Sequence, residues 1–314
     1  MRRLPLAAVA LMAALLAAAA PSAQQPSLLL SQLTWFDRAG RQLSTVGPLA
    51  DHGNLELSPD GRRVAVAVTD RSRTNRDIWI YEPDGTRTQL TNAAADENWL
   101  IWSPDGERVI YNSFDGPRLS LLQRGARGSG TATTVVEDGR GKWPVSWSPD
   151  GQRILVVTNS QATGNDIWLL PLAGQPRMTS FIDTTASENW AAFSPDGRYV
   201  AYSSTDPTGS AEVYVAPVPG DGRMWRISAE GGTQARWRKP DEIIYLSPNR
   251  ELIAAGLRFN GNALEVTDLD PLFRLDFPYG AYHAFDVTPD GTRILVNQVV
   301  VSPATPSLTA SLHP

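Results

Sequence analysis

A five-residue string returns along this chain at a nearly constant interval, and that interval limits what the chain can fold into. Leu57 leads into Ser58-Pro59-Asp60-Gly61, Trp102 into Ser103-Pro104-Asp105-Gly106, Trp147 into Ser148-Pro149-Asp150-Gly151, and Phe193 into Ser194-Pro195-Asp196-Gly197. A looser copy, Thr288-Pro289-Asp290-Gly291, follows Val287. From Ser58 to Ser103, Ser148 and Ser194 the steps are 45, 45 and 46 residues, and the 94 residues from Ser194 to Thr288 leave room for one more copy. Its remnant is Trp237-Arg238-Lys239-Pro240-Asp241-Glu242. Six units of this length predict an all-β fold, a six-bladed β-propeller in which each unit is one four-stranded blade.

The string has a physical reason. Proline presets φ, Asp tolerates the bridge and left-handed regions, Gly supplies positive φ, and the leading hydroxyl can bond the local backbone. Apolar runs flank each copy, as in Leu100-Ile101-Trp102 before and Val109-Ile110-Tyr111 after, so each copy reads as a hairpin between two buried strands. The Asp carboxylates of these turns sit on five different blades. Calcium needs six to eight oxygens converging on one point, so turn closure accounts for these residues better than metal binding.

The chain begins with Arg2 and Arg3, an uncharged Ala- and Leu-rich run over 4–20, and small residues at Ala20, Ser22 and Ala23. This pattern predicts a signal peptide over 1–25, export to the periplasm or outside, and no membrane span once the leader is removed. The propeller is expected over 30–300 and a tail, with one short strand at 308–312, over 301–314. The hairpin around Trp35-Phe36-Asp37-Arg38-Ala39-Gly40 looks like the outer half of a blade, whereas the C-terminal unit lacks its outer half. The N-terminal hairpin is therefore expected to complete the C-terminal blade and close the ring. Loops are expected over 69–76, 124–131, 160–165 and 260–270, with 124–131 the most flexible by its Gly and Ser content.

The third strands repeat as well, in Asp77-Ile78-Trp79 and Asp166-Ile167-Trp168. Together with the Ser-Pro-Asp-Gly turns and the leading Trp-Phe-Asp-Arg-Ala-Gly hairpin, they resemble TolB-like six-bladed propellers with WD-type repeats. The nearest resemblance is to the extracytoplasmic propeller joined to bacterial receptor Ser/Thr kinases. That likeness implies a binding or sensing module without catalysis of its own. The sequence contains no Gly-rich kinase loop, no His-Arg-Asp and no Asp-Phe-Gly.

Searches for chemistry point the same way. The chain has no Cys, which excludes thiol catalysis and Cys-based metal sites, and it has no Gly-x-Ser-x-Gly elbow and no His-Glu-x-x-His. No catalytic residue, metal site or cofactor is expected. A net charge of −5 disfavours nucleic acid as a partner.

The residues five or six before each turn hydroxyl enter the inner strands, and they are the candidates for a binding rim: His52, Glu97, Asn98, Lys142, Trp143, Glu188, Asn189, Tyr282 and His283. Charged, amide and aromatic groups converging on one mouth describe a polar funnel with stacking surfaces. Trp99 and Trp190 are expected in the inter-blade core. The expected partner is a protein, peptide or glycan, bound by a monomer. The alternative is a propeller hydrolase or lactonase using rim carboxylates with His52 or His283 and a metal. Arg236 and Asp286, two residues before their turns on neighbouring blades, are expected to pair across the closing seam.

Overall fold

The computed structural model describes residues 30–300, apart from 71, 73–74, 162, 175–176 and 277–281. The expected leader over 1–25 and the tail over 301–314 lie outside the described residues. Twenty-four strands form six antiparallel four-stranded sheets. The first hairpin is β1 (Ser31–Asp37) and β2 (Gln42–Ala50). Blade 1 follows with β3 (His52–Leu57), β4 (Val64–Thr69), β5 (Arg76–Tyr81) and β6 (Arg87–Gln89). Blade 2 holds β7 (Asp96–Trp102), β8 (Arg108–Asp115), β9 (Arg118–Gly125) and β10 (Thr133–Glu137). Blade 3 holds β11 (Lys142–Trp147), β12 (Arg153–Ser160), β13 (Gly164–Pro171) and β14 (Thr179–Ile182). Blade 4 holds β15 (Ser187–Phe193), β16 (Tyr199–Thr205), β17 (Ala211–Pro217) and β18 (Trp225–Arg226). Blade 5 holds β19 (Thr233–Lys239), β20 (Glu242–Leu246), β21 (Glu251–Asn260) and β22 (Ala263–Arg274). Blade 6 begins with β23 (Phe285–Val287) and β24 (Arg293–Val299) and is completed by the first hairpin, in the order β2-β1-β24-β23.

The expected closure is thus the observed one. β1 pairs with β24 without interruption from Ser31↔Val299 to Asp37↔Arg293. Apolar side chains on both faces of each sheet form six buried clusters, one at each contact between neighbouring blades. That two-sided burial explains why the strands read as near-continuous Val, Ile and Leu runs rather than as clean alternation.

The turns show why their sequence repeats. In blade 2 the Ser103 hydroxyl donates to Asp105 Oδ1 while accepting the Arg108 N–H at 2.9 Å. Asp105 Oδ1 also accepts the Glu107 N–H at 3.0 Å, and Gly106 takes φ +69°. The Ser103 hydrogen bond, followed by that backbone N–H, lowers the Asp105 pKa. Asp150 and Asp290 are lowered for the same leading reason, from Ser148 and Thr288. Five residues after the hydroxyl, Arg63 and Arg108 lie over the indoles of Trp102 and Trp147 on the next blade, at 4.7 and 5.2 Å. The worn copy in blade 5 has neither hydroxyl nor glycine. Its hairpin is tied instead by ion pairs from Glu242 to Arg238 and, at 3.2 Å, to Arg38 of the first hairpin.

The seam pair is also present. Arg236 Nε lies 3.6 Å from Asp286 Oδ1, both side chains being largely buried. Asp286 further accepts the Leu57 N–H of blade 1 and its neighbour Val287 N–H, each at 2.8 Å, so one carboxylate touches blades 5, 6 and 1. Ser146 plays a comparable part elsewhere, accepting the Phe193 N–H of the next blade at 3.1 Å.

One expected loop is not a loop. Residues 260–270 belong to the outer hairpin of blade 5, with only Gly261 and Asn262 between β21 and β22. Leu264, Val266 and Leu269 pack from β22 against the core between blades 4 and 5, which holds this acidic stretch extended. Within 124–131, Arg124 donates to Leu90 O and to Gly128 O, so the segment packs on blade 1 despite its composition.

Two outcomes follow. Asp105→Asn lowers Tm at about pH 7. The gap to wild type closes as pH falls below the ordinary carboxylate range, because a carboxylate with depressed pKa loses its stabilising role on protonation. Melting curves across pH read this directly. Arg236→Met lowers the unfolding free energy by about 3 kcal/mol, since it leaves Asp286 and Glu56 buried without their cation. Urea denaturation at neutral pH measures it.

Candidate functional site

The inner strands β3, β7, β11, β15, β19 and β23 all run from one end of the ring, here called the mouth, to the turn end. In five of them the ladder slips by one residue shortly after the mouth: between His52 and Leu55, Glu97 and Leu100, Pro144 and Ser146, Asn189 and Ala192, and Thr233 and Arg236. Each slip is a β-bulge, which re-aims side chains and bends the strand. Two bulge residues without the freedom of glycine take left-handed φ: Trp190 at 58° and Gln234 at 57°. Gln234 uses the bend to meet blade 6, donating to Tyr282 O and accepting the Ala284 N–H.

Trp190 uses it to meet the tunnel axis. Its ring lies 5.4 Å from Trp99 of blade 2 and 4.9 Å from His283, and Trp99 lies 6.3 Å from Tyr282. Aromatic rings from alternate blades 2, 4 and 6 thus meet across the mouth. Trp99 and Trp190 are half-buried here, and Trp99 packs on the core between blades 3 and 4 while leaving part of its surface to the cavity.

Beside this cluster, over blade 3, opens a cavity of about 350 Å³ lined by Trp99, Trp143, Val145, Val157, Asn165, Asn189 and Trp190. Trp143 of β11 stands between Trp99 and Trp190 of the flanking blades in ring order. Asn165 donates to Asn189 Oδ1 at 2.7 Å and accepts from Asn159 at 3.0 Å, which fixes the amide pair.

The nine expected rim residues fall into three groups. Trp143, Asn189 and Tyr282 are half-buried at the mouth, and the first two line the cavity. His52, Asn98 and His283 are buried ties between blades. His52 Nδ1 bonds Ser31 Oγ at 3.1 Å, Asn98 Oδ1 accepts the Asn54 N–H, and the His283 N–H donates to Asn54 while its Nδ1 touches Arg236. Burial lowers the His52 pKa to about 4, and burial with Arg236 beside it holds His283 well below the usual range. Both imidazoles are therefore neutral at physiological pH.

Glu97, Glu188 and Lys142 are buried and line no part of the cavity. Lys142 is paired with Asp138, and burial lowers its pKa. Glu188 accepts the Thr184 hydroxyl at 2.5 Å, with its pKa raised by burial. Burial likewise raises the Glu97 pKa to about 6. Asn165, Val145 and Val157 escaped the sequence reading, because they enter the cavity from inside strands and not from the strand entrance.

At the opposite end the tunnel widens to about 580 Å³ inside a ring that includes all six turn prolines, from Pro59 to Pro289. Of its ionisable lining, Glu56, Arg236 and Asp286 form the seam cluster, while Arg238 and Lys239 pair with Glu242 and Asp241 of the blade 5 hairpin. Among the described residues no three His, Asp or Glu converge as a metal site would require.

Glu97→Gln should raise Tm near pH 8 and leave it unchanged near pH 4. A carboxyl whose folded pKa is raised stabilises least where it must ionise, so the penalty appears as pH climbs through about 6. The gain is on the order of 2 kcal/mol, read by thermal melts at several pH values.

No protein-family profile matches this chain, and no curated protein matches it in sequence. Solved structures do. TolB from Agrobacterium tumefaciens superposes with a TM-score of 0.68 at 16% identity, over 87% of this chain and 99% of that one. TolB from Acinetobacter baumannii gives 0.52 at 17% identity over 76% of this chain, which spans 64% of that longer protein. An oligogalacturonate lyase in complex with manganese gives 0.55 at 14% identity, over 86% and 96% of the two chains. At such identities the likeness is one of fold. Six four-stranded blades, closed by an N-terminal hairpin, give this chain a six-bladed β-propeller fold, one on which it superposes with TolB.

Proposed function

We propose that this protein is an exported, non-catalytic binding protein of the cell envelope, which holds a protein, peptide or glycan at the mouth of its propeller. The observation that carries the reading is the aromatic cavity over blade 3, where three indoles and two amides face one space. Concave, largely apolar sites with a few placed polar groups are where ligands are held. The N-terminal sequence pattern supports export, and no helix among the described residues is long and apolar enough to cross a membrane.

The lyase neighbour keeps an enzyme in view as the rival reading. Against it stand the roles of the candidate groups: His52 and His283 are neutral and tied into blade contacts, and Glu97 and Glu188 lie buried on different blades, outside the lining of the cavity. Removing the mouth surface separates the readings. Trp143→Ala and Asn189→Ala should each cut partner capture from an envelope extract by about tenfold, with melting temperature little changed in Asn189→Ala and lowered in Trp143→Ala, whose indole packs on the blade 3–4 core. Capture that is indifferent to both substitutions would overturn the mouth as the binding site. A stoichiometric metal in the purified protein, with turnover of an oligosaccharide or lactone, would install the enzyme instead.

A further inference from the structure

We infer that the cavity over blade 3 is a subsite for a neutral carbohydrate, which takes a pyranose ring against Trp143 between Trp99 and Trp190. The inference rests on the reading of the mouth as the binding site and names its ligand class.

The lining chemistry argues for it. Of the residues around the cavity none is ionisable. The charged groups nearest in sequence, Glu97, Lys142, Asp166 and Glu188, are buried and line no part of it. A charged ligand would therefore leave water without a counter-charge, which is costly. The polar groups present are two primary amides. Each amide has two N–H donors and an oxygen that can accept twice. Their contacts with each other, with Asn159 and, at 3.4 Å, with Ser187 leave capacity unused among the described residues. Paired donors and acceptors on a rigid frame suit neighbouring hydroxyls of a sugar. Flat, half-exposed indoles suit the C–H face of its ring, which is apolar while its equator is polar.

Backbone strain is the independent sign. Trp190 is a bulky residue at φ 58°, in a conformation that costs about 1–3 kcal/mol and persists only where its surroundings impose it. What the strain achieves is to set the Trp190 ring against Trp99 and His283 as one wall of the cavity. The volume, about 350 Å³, is at the small end of ligand sites and matches one or two sugar rings better than a folded surface.

The test uses the purified chain titrated with cellotetraose, N-acetylchitotetraose, maltotetraose and mannotetraose, with trigalacturonate and a proline-rich decapeptide as rivals. Binding is read from indole N–H shifts by NMR and from calorimetry. At least one neutral tetrasaccharide should shift the Trp143 and Trp190 indoles. Its affinity should fall about tenfold in Asn165→Ala and Asn189→Ala. Trp190→Gly should abolish binding without unfolding the protein, because glycine takes the left-handed φ freely. Trp147→Phe, at the turn end, should leave affinity unchanged. If only the peptide or trigalacturonate shifts these indoles, the carbohydrate inference fails and the mouth remains the site. If a neutral sugar binds but the four substitutions affect it alike, the sugar sits elsewhere and the inference fails. If nothing binds and partner capture ignores the mouth variants, both readings fail.

Discussion

Everything in this molecule depends on the pairing of β1 with β24. Away from the mouth the buried cores lie only between neighbouring blades, so a ring of six is stable as a ring only if the sixth is finished by the first described strand. Seven uninterrupted residue pairs do this, and around them the closure is doubled by side chains. Asp286 reaches blade 1 through Leu57 and blade 5 through Arg236, and Glu242 of blade 5 holds Arg38 of the first hairpin. Because the inner strands are spokes of one closed figure, the distance between Trp99 and Trp190 across the mouth is set by closure far away from either residue.

The two ends of the tunnel solve different problems. At the turn end the same lock recurs in five blades, a hydroxyl, a carboxylate and a glycine, and in blades 1 and 2 an arginine adds to it over the next blade's indole. Its regularity reflects a requirement that each hairpin be as narrow as its neighbours. At the mouth the bulges break that regularity. They sit between the constant half of each inner strand and its variable beginning, so residues on the mouth side change direction without disturbing the packing below. Blade 5 shows the limit of tolerance: with its hydroxyl and glycine gone, Arg238 and Glu242 hold the hairpin by charge.

Much of the architecture was legible because turns make exacting local demands. Pro, Asp and Gly at fixed offsets announce themselves in a sequence, and their spacing counts blades even through the eroded copy at Trp237–Glu242. The seam pair was legible for a related reason, since charged residues at otherwise apolar positions stand out. What lines the mouth was not legible. A single extra residue in a strand re-aims its side chains, and counting back from the turn did not show that Glu97 and Glu188 are buried, or that Trp99 and Trp190 are left half-buried beside the cavity. Asn165 was missed because it arrives from the third strand, and adjacency between blades is a property of the closed ring. The stretch 260–270 misled for a simpler reason: its acidic residues look like loop, while Leu264, Val266 and Leu269 hold it as strand.

The closing pair has one more effect. Since β1 starts and β24 ends at the mouth, where Val300 bonds back to Leu30, the chain enters and leaves the propeller on the face that carries the aromatic cavity. In wiring terms the ring is one-sided: among the described residues both chain ends lie on the mouth side and neither lies at the turns. Anything joined to residue 30 or residue 300 leaves from blade 6, which stands opposite blade 3 in ring order but on the same side of the ring. Capture through a turn such as the one at Asp150 would instead leave that whole side open.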